Sequence, residues 1–369
     1  MDCPHIPELG YGDFSQRLHQ AAHTRRLPLV GSMELNFRCN LRCQHCYVSH
    51  GHNGLPGQQE LSLAEIQRIF GEIAQAGTLW FLLTGGEPLV RRDFPEIYLA
   101  AKRSGLITTV FTNGTLLTPR LADLLAEYPP FAVEITLYGY TQETYERVTG
   151  IPGSHARCLR GIDLLLERGL PLRLKTMVMR LNQHELAEMQ AFASRLGLPF
   201  RYDPILNAGF DNCGRARQLR LSPEEIVALD LADEQRMEGW REFSERFLPA
   251  TGLNAQYLYA CGAGINTYHI DPYGQLSVCM LARQRSFDLR QGAFEQGWQF
   301  LREVRSQPAV GRYECGDCSL RPLCGQCPGW AALENGDPQQ RVDYLCQIAH
   351  QRAQAFDFIP LETPVFSSM

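Results

Sequence analysis

Between Gly31 and Tyr202 the sequence repeats one unit, a short apolar run alternating with a stretch of helical periodicity. Gly31 to Phe37 opens the series as a buried strand. Helical periodicity over Ala64 to Ala76 leads to the apolar run Leu79 to Leu83, and that over Phe94 to Ser104 leads to Ile107 to Thr112. The pattern continues with Leu117 to Glu127 before Ala132 to Leu137, His155 to Arg168 before Leu172 to Met179, and Glu185 to Leu196 before Phe200 to Tyr202. Strands and helices alternating at this length require a parallel sheet with helices packed outside it, because right-handed crossovers allow little else. Six such units predict an α/β fold, a partial (β/α)6-type barrel of parallel strands. A complete eight-stranded barrel takes ~250 residues, and here the alternation fades near Asp211.

Parallel α/β folds carry their chemistry at the C-terminal ends of the strands. The Gly, Asn and Cys signals fall there, after Phe37, Leu83, Phe111 and Leu137. The expected organisation is a lead-in over 1–30, the partial barrel over 31–220, a bridging helical segment over 221–256, a cysteine-rich C-terminal domain over 257–350 and a tail over 351–369. In the bridge, Ser222 to Phe247 reads as helical, with Ser222 as N-cap, Pro223 in the first turn and Glu224 and Glu225 suited to the helix dipole. In the cysteine-rich segment Asp271-Pro272-Tyr273-Gly274 reads as a hairpin turn. A formal net charge of -5 offers no basic footprint for nucleic acid. The first ten residues lack a signal peptide's basic start and apolar run, and no apolar stretch approaches the ~20 residues of a membrane span. A cytoplasmic protein is expected.

Thirteen cysteines in a reducing compartment point to metal ligation rather than disulfides. Cys39, Cys43 and Cys46 lie within eight residues directly after the first strand. Three thiolates hold three irons of a cubane cluster and leave the fourth open, the position that metal catalysis requires. A zinc site borrowing a distant ligand is the alternative. Cys261, Cys279, Cys315, Cys318, Cys324, Cys327 and Cys346 form a second group of seven, close to the eight thiolates that two four-thiolate clusters need. Zinc remains an alternative there too, although the five residues between Cys318 and Cys324 are fewer than the ~15–20 of a zinc ribbon. Cys158 reads as a buried structural thiol, Cys3 as incidental, and Cys213 as an outside candidate for a missing ligand. Gly85, Gly86 and Glu87 after the second strand suit close approach of a ligand and pairing with a cationic group. Thr112 and Asn113 end the third strand in similar fashion.

Taken together, C-x3-C-x2-C in the first loop, Gly85-Gly86-Glu87-Pro88 after the second strand and Thr112-Asn113-Gly114-Thr115 after the third resemble the radical S-adenosylmethionine superfamily over residues 31–350. The resemblance implies a [4Fe-4S] cluster whose open iron chelates S-adenosylmethionine and drives its reductive cleavage to a 5'-deoxyadenosyl radical. By position it implies that Gly85, Gly86 and Glu87 meet the methionine amino group and that Thr112 and Asn113 lie near the ribose. Thr136 stands where the family more often has Ser, and Arg147 matches an arginine that pairs with the cofactor carboxylate. His45 departs from the aromatic residue usual before the last cysteine, and an imidazole can still stack on adenine. Lys175, on the fifth strand, is open to either an inward or an outward orientation.

The C-terminal cysteines resemble a SPASM domain, with four residues between Gly274 and Cys279 and then C-x2-C-x5-C. That resemblance implies an inner auxiliary cluster on Cys261, Cys279 and Cys327, one ligand short, and an outer one on Cys315, Cys318, Cys324 and Cys346. Proteins with this domain modify peptides or proteins, so a peptide maturase is expected, making a crosslink, a desaturation or an epimerised centre. Barely 30 residues precede the first strand, too few for a winged-helix leader-binding domain, which makes a separate leader-binding protein plausible. A flavodoxin- or ferredoxin-type donor would supply electrons. The alternatives are a small-molecule substrate (sugar, amine or alcohol), a sulfatase-type maturase and a non-catalytic electron carrier. The sulfatase reading is weakened by Met280, which stands where those enzymes carry an Asp base. No residue is identified as the general acid, base or hydrogen donor.

Overall fold

The computed structural model describes residues 10–48, 58–211, 214–247, 257–259, 261–311, 313–316 and 318–356. The strands are β1 (Val30–Glu34), β2 (Trp80–Thr84), β3 (Ile107–Thr112), β4 (Ala132–Thr136), β5 (Leu172–Met177), β6 (Phe200–Asp203), β7 (Thr267–Ile270), β8 (Gln275–Ser277) and β9 (Phe287–Asp288). The helices are α1 (Tyr11–Arg25), α2 (Leu63–Gln75), α3 (Phe94–Arg103), α4 (Pro119–Glu127), α5 (Gln142–Thr149), α6 (Ser154–Leu166) and α7 (Leu186–Arg195). They continue with α8 (Arg215–Gln218), α9 (Pro223–Ala232), α10 (Glu234–Phe247), α11 (Phe294–Arg305), α12 (Pro328–Asn335) and α13 (Asp343–Ala355). One sheet runs in the order β6-β5-β4-β3-β2-β1-β7-β8-β9. Its first six strands are parallel and in sequence order, as the repeating units require.

The helices between the parallel strands cover the outer face because they present apolar stripes to it. In α2 the stripe is Ile66, Ile69, Phe70 and Ile73, all buried, each contributing about 1.5–3 kcal/mol of transfer free energy. Ser62 starts this helix with a reciprocal capping box to Glu65, and Ser222 does the same for α9 with Glu225. Along the strands Met33, Phe81, Leu83, Val110, Val133, Ile135 and Leu174 join that outer core. The intervening positions, among them Ser32, Glu34, Phe111, Glu134, Lys175 and Arg201, face the concave side.

Four features differ from the sequence reading. The first strand ends at Glu34 rather than Phe37, because Leu35 to Arg38 bend away while staying bonded to the end of β2. The helices α1 and α5 were not anticipated. In α1 only Ala22 is buried, so it carries no apolar stripe to read; it is held at the N-terminal ends of the strands, with Tyr11 against Trp80 and Phe131 and His19 stacked on Trp80 at 5.0 Å. The bridging segment is two helices, α9 and α10, with Asp233 between them in an extended conformation. Finally, the cysteine-rich segment continues the sheet: β7 pairs in parallel with β1, Val30 opposite Thr267 and Met33 opposite Ile270. The expected hairpin is present between β7 and β8, where the Asp271 carboxylate accepts the N–H groups of Tyr273 and Gln275 and Gly274 takes a φ of 87°.

Candidate functional site

The loop that leaves β1 carries Cys39, Cys43 and Cys46 and is pinned to the end of α5. Arg42 N–H donates to Thr149 O at 2.8 Å, Gln44 N–H donates to Val148 O at 3.1 Å, and Gly150, at a φ of 67°, sits under Arg42. Cys43 is buried, Cys46 half-buried and Cys39 exposed at the residue level. Burial, with further additions from neighbouring negative charges, raises the Cys39 thiol to about 12, the Cys46 thiol to about 11 and the Cys43 thiol well above its ordinary value. Three neighbouring thiols held protonated by burial and by one another's charge would become thiolates beside a metal's positive charge, which fits a cluster.

Beside this loop the end of β2 makes a second layer. Gly86 N–H donates to Asn36 O at 2.8 Å and Glu87 N–H to Arg38 O at 2.9 Å. A Cβ on Gly85 would stand 2.5 Å from Asn36 O, and one on Gly86 would stand 2.4 Å from Arg38 O. The close approach these glycines permit is therefore that of the cysteine loop's own backbone. The fully buried Glu87 carboxylate accepts from Thr112 Oγ1 at 2.7 Å, Asn113 N–H at 2.7 Å and Leu89 N–H at 3.1 Å. Burial outweighs these bonds and lifts it to about 7. Asn113 Nδ2 donates to Asn40 Oδ1 at 3.0 Å and lies 3.8 Å from Cys39 Sγ. So Gly85, Gly86, Glu87, Thr112 and Asn113 are gathered around Cys39.

Thr136 ends β4 half-buried, in register with Lys175. The His45 ring lies 5.3 Å from that of Tyr138, its buried Nδ1 without a hydrogen-bond partner, and burial lowers its pKa to about 4. Arg147 is exposed and donates to Leu181 O at 2.9 Å, so its guanidinium is engaged outside the cysteine loop.

Two buried polar clusters on the concave face went unnoticed in the sequence. Glu34 Oε2 is 3.1 Å from His269 Nε2 and 2.7 Å from Arg283 Nη2, and Tyr47 donates to Glu34 Oε1 at 3.3 Å. Glu134 lies 3.4 Å from Lys175 and 2.5 Å from Arg201. Lys175 therefore points inward; burial lowers its pKa to about 7 against the pull of Glu134. The available signal was period two: Ser32 and Glu34 alternate with Gly31 and Met33, and Glu134 and Thr136 alternate with Val133 and Ile135.

In the C-terminal segment Cys315, Cys318, Cys324 and Cys346 line one cavity of about 160 Å³. Cys261, Cys279 and Cys327 form a separate group whose charges act on one another and on Tyr259. Backbone N–H groups already point at sulfur in both, from Gln326 to Cys324 at 3.4 Å and from Trp330 to Cys327 at 3.3 Å. Cys158 is fully buried in the core, as expected of a structural thiol. Cys3 and Cys213 lie outside the described residues.

The sequence model of the Radical SAM superfamily matches residues 33–193. The chain is 30% identical to mycofactocin maturase MftC of Mycobacterium ulcerans, over 89% of this chain and 90% of that protein. It is 33% identical to PqqA peptide cyclase of Rhodopseudomonas palustris, over 89% of each. An AdoMet-dependent heme synthase of Methanosarcina barkeri is 25% identical over 86% of this chain and 96% of that protein. In fold the chain resembles Streptococcus suis SuiB bound to S-adenosylmethionine, with a TM-score of 0.66, 16% identity, and coverage of 94% of this chain and 83% of that one. Among the described residues no helix is long and apolar enough to cross a membrane.

Proposed function

Since the chain belongs to the radical SAM superfamily, with a [4Fe-4S] cluster and S-adenosylmethionine as its cofactors, we propose that it is a maturase that abstracts hydrogen from a peptide and leaves a crosslink, a desaturation or an epimerised centre. The observation that carries this reading is the packing of the Cys39–Cys46 loop against Gly85–Glu87 and Asn113 at the strand ends. Cys39, Cys43 and Cys46 would hold the catalytic cluster. When bound, cluster and S-adenosylmethionine supply the 5'-deoxyadenosyl radical. Gly85 and Gly86 fix the loop's position, and Glu87, held by Thr112 and Asn113, presents a carboxylate suited to the cofactor's ammonium group. Thr136 and His45 line the same end of the sheet. Arg147 would have to release the Leu181 carbonyl to reach a cofactor carboxylate.

In the C-terminal segment, Cys315, Cys318, Cys324 and Cys346 would hold an outer auxiliary cluster and Cys261, Cys279 and Cys327 an inner one. A flavodoxin- or ferredoxin-type protein would deliver the electrons, and a separate protein would present the peptide's leader. The cytoplasm, where thiols stay reduced, is the compartment that suits this set of ligands. The heme synthase likeness favours a second reading, a small-molecule substrate.

Anaerobic co-expression in deuterated water with short peptides encoded beside the gene, followed by mass spectrometry, separates the readings. A loss of two hydrogens means an oxidative crosslink or desaturation, and deuterium retained at a carbon means epimerisation. Unmodified peptides, with S-adenosylmethionine cleavage stimulated only by metabolites, would move the assignment to the small-molecule class.

A further inference from the structure

We propose that Arg305 raises the reduction potential of the inner auxiliary site above that of the outer one, so that the inner site is the first acceptor of the electron taken from substrate; this rests on the reading that both sites hold iron–sulfur clusters. Arg305 ends α11 on its buried face, four residues after Leu301 and seven after Trp298. Gly264, at a φ of 71°, lets the Cys261 turn press against that helix end: a Cβ there would meet Val278 Cγ1 at 2.9 Å and Arg305 Cβ at 3.4 Å.

The Arg305 side chain is buried, with 8% of the residue exposed. Its Nη1 has no hydrogen-bond partner and, among the described residues, no carboxylate pairs with it. The guanidinium lies over the Tyr259 ring at 5.5 Å, and its charge acts on Cys261 beside it. A buried cation without an anion is costly, and a thiolate-ligated cluster is the anion this place lacks.

The cations near the outer site are differently placed: Arg321, at the edge of the outer cavity, is only half-buried and donates to Gly316 O at 3.4 Å. Arg352, whose charge acts on Cys324, also has one unpartnered nitrogen, Nη2, but donates to Asp230 at 2.9 Å, a carboxylate that Arg236 shares. Arg341 is half exposed and bound to Asp343 at 2.9 Å. Reduction adds one negative charge to a cluster, so a desolvated, uncompensated guanidinium favours the reduced form more than a neutralised or solvated one does. In an oxidation, the substrate C–H bond breaks as its hydrogen atom passes to the adenosyl carbon. The substrate radical then gives one electron to the oxidised inner cluster and one proton to water, and the new bond closes.

The test is a potentiometric titration of the reconstituted full-length chain, monitored by electron paramagnetic resonance, with Cys318→Ala used to identify the outer signal. In the unsubstituted protein the inner signal should appear at the higher potential; appearance below the outer signal overturns the inference. Arg305→Gln and Arg305→Met should shift the inner equilibrium at least tenfold toward the oxidised form, which is about 59 mV for a one-electron couple. Arg305→Lys should retain most of the wild-type value, and the other two clusters should not move. An unchanged inner midpoint with full iron content would reduce Arg305 to a packing residue. Iron near ~4 per chain in the unsubstituted protein would instead remove the auxiliary clusters themselves, and with them the premise.

Discussion

The two cysteine regions differ in the sign of the charged side chain that acts on them most strongly. Burial is the largest influence on Cys39 and Cys46 alike, backbone hydrogen bonds from Leu41 and Val48 oppose it, and the strongest charged neighbour is then a carboxylate, Glu87 for Cys39 and Glu34 for Cys46, with Arg215 as a smaller counterweight to the latter. Apart from burial, backbone bonds and one another, the C-terminal thiols meet a guanidinium as their strongest charged neighbour, Arg283 for Cys279 and Arg341 for Cys315 and Cys346, with Glu314 and Asp343 weaker and opposite. Negative neighbours disfavour a reduced cluster and positive ones favour it. On the proposed reading, the site that pushes an electron into a carbon–sulfur bond has an acid as its strongest charged neighbour, and the proposed auxiliary sites have a base.

The strongest challenge to this division is removal of one ligand from each side. Cys43→Ala should abolish S-adenosylmethionine cleavage and lower iron from ~12 to ~8 per chain. Cys318→Ala should lose auxiliary iron and keep some uncoupled cleavage; iron analysis and assay of 5'-deoxyadenosine read both. Full cleavage in Cys43→Ala would dissolve the distinction. Next in size, Gly86→Ala drives a Cβ into Arg38 O and Phe37 O, displacing the catalytic loop. A shift of that order costs roughly a hundredfold in cleavage rate, with the C-terminal iron unaffected. Gly336→Ala, with a φ of 76° and open space around it, should cost only about 1 kcal/mol of stability and no activity.

The joint between the regions offers a third probe. Arg220 and Glu334 pair with their side chains 9% and 8% exposed, and Arg220 also donates to Leu206 O at 2.7 Å. Arg220→Leu leaves Glu334 buried and uncompensated, so urea unfolding should show a loss of about 3–5 kcal/mol. Lys175 offers a probe through pH. Its pKa is about 7 in the fold against an ordinary 10.5, so between these values the unfolded chain binds a proton that the folded chain does not. Stability should rise with pH through that window, by at most about 1.4 kcal/mol per pH unit. Urea midpoints of the apoprotein at pH 7, 8 and 9 check this, and Lys175→Met should flatten the slope.

The six parallel strands were legible because an apolar run and an amphipathic helix each leave a period in the sequence. The cysteine loops were legible because their ligands are local. Pairing across long separations leaves no such trace, which is why β7 beside β1 and the contact of Glu34 with His269 and Arg283 emerged only in three dimensions. The helix α1 stayed hidden for another reason: beside Tyr11 and His19 it touches the sheet with only Leu18 and Ala22, too short an apolar stripe to read. Arg147 could be placed on α5 by motif, but its rotamer answers to the Leu181 carbonyl, which sequence spacing does not encode.

The pairing of β1 with β7 sets a timetable for synthesis. Ser32 and His269 are 237 residues apart, so at translation rates of about 5–20 residues per second β1 waits roughly 12–47 seconds before its neighbour emerges from the ribosome. Throughout that interval one edge of the strand nearest the catalytic cysteines presents unpaired N–H and C=O groups, a template for any passing extended chain. The nascent protein is most exposed to mispairing and to chaperones during this interval, and cell-free synthesis slowed within codons 35–265 should increase aggregation more than slowing after codon 275.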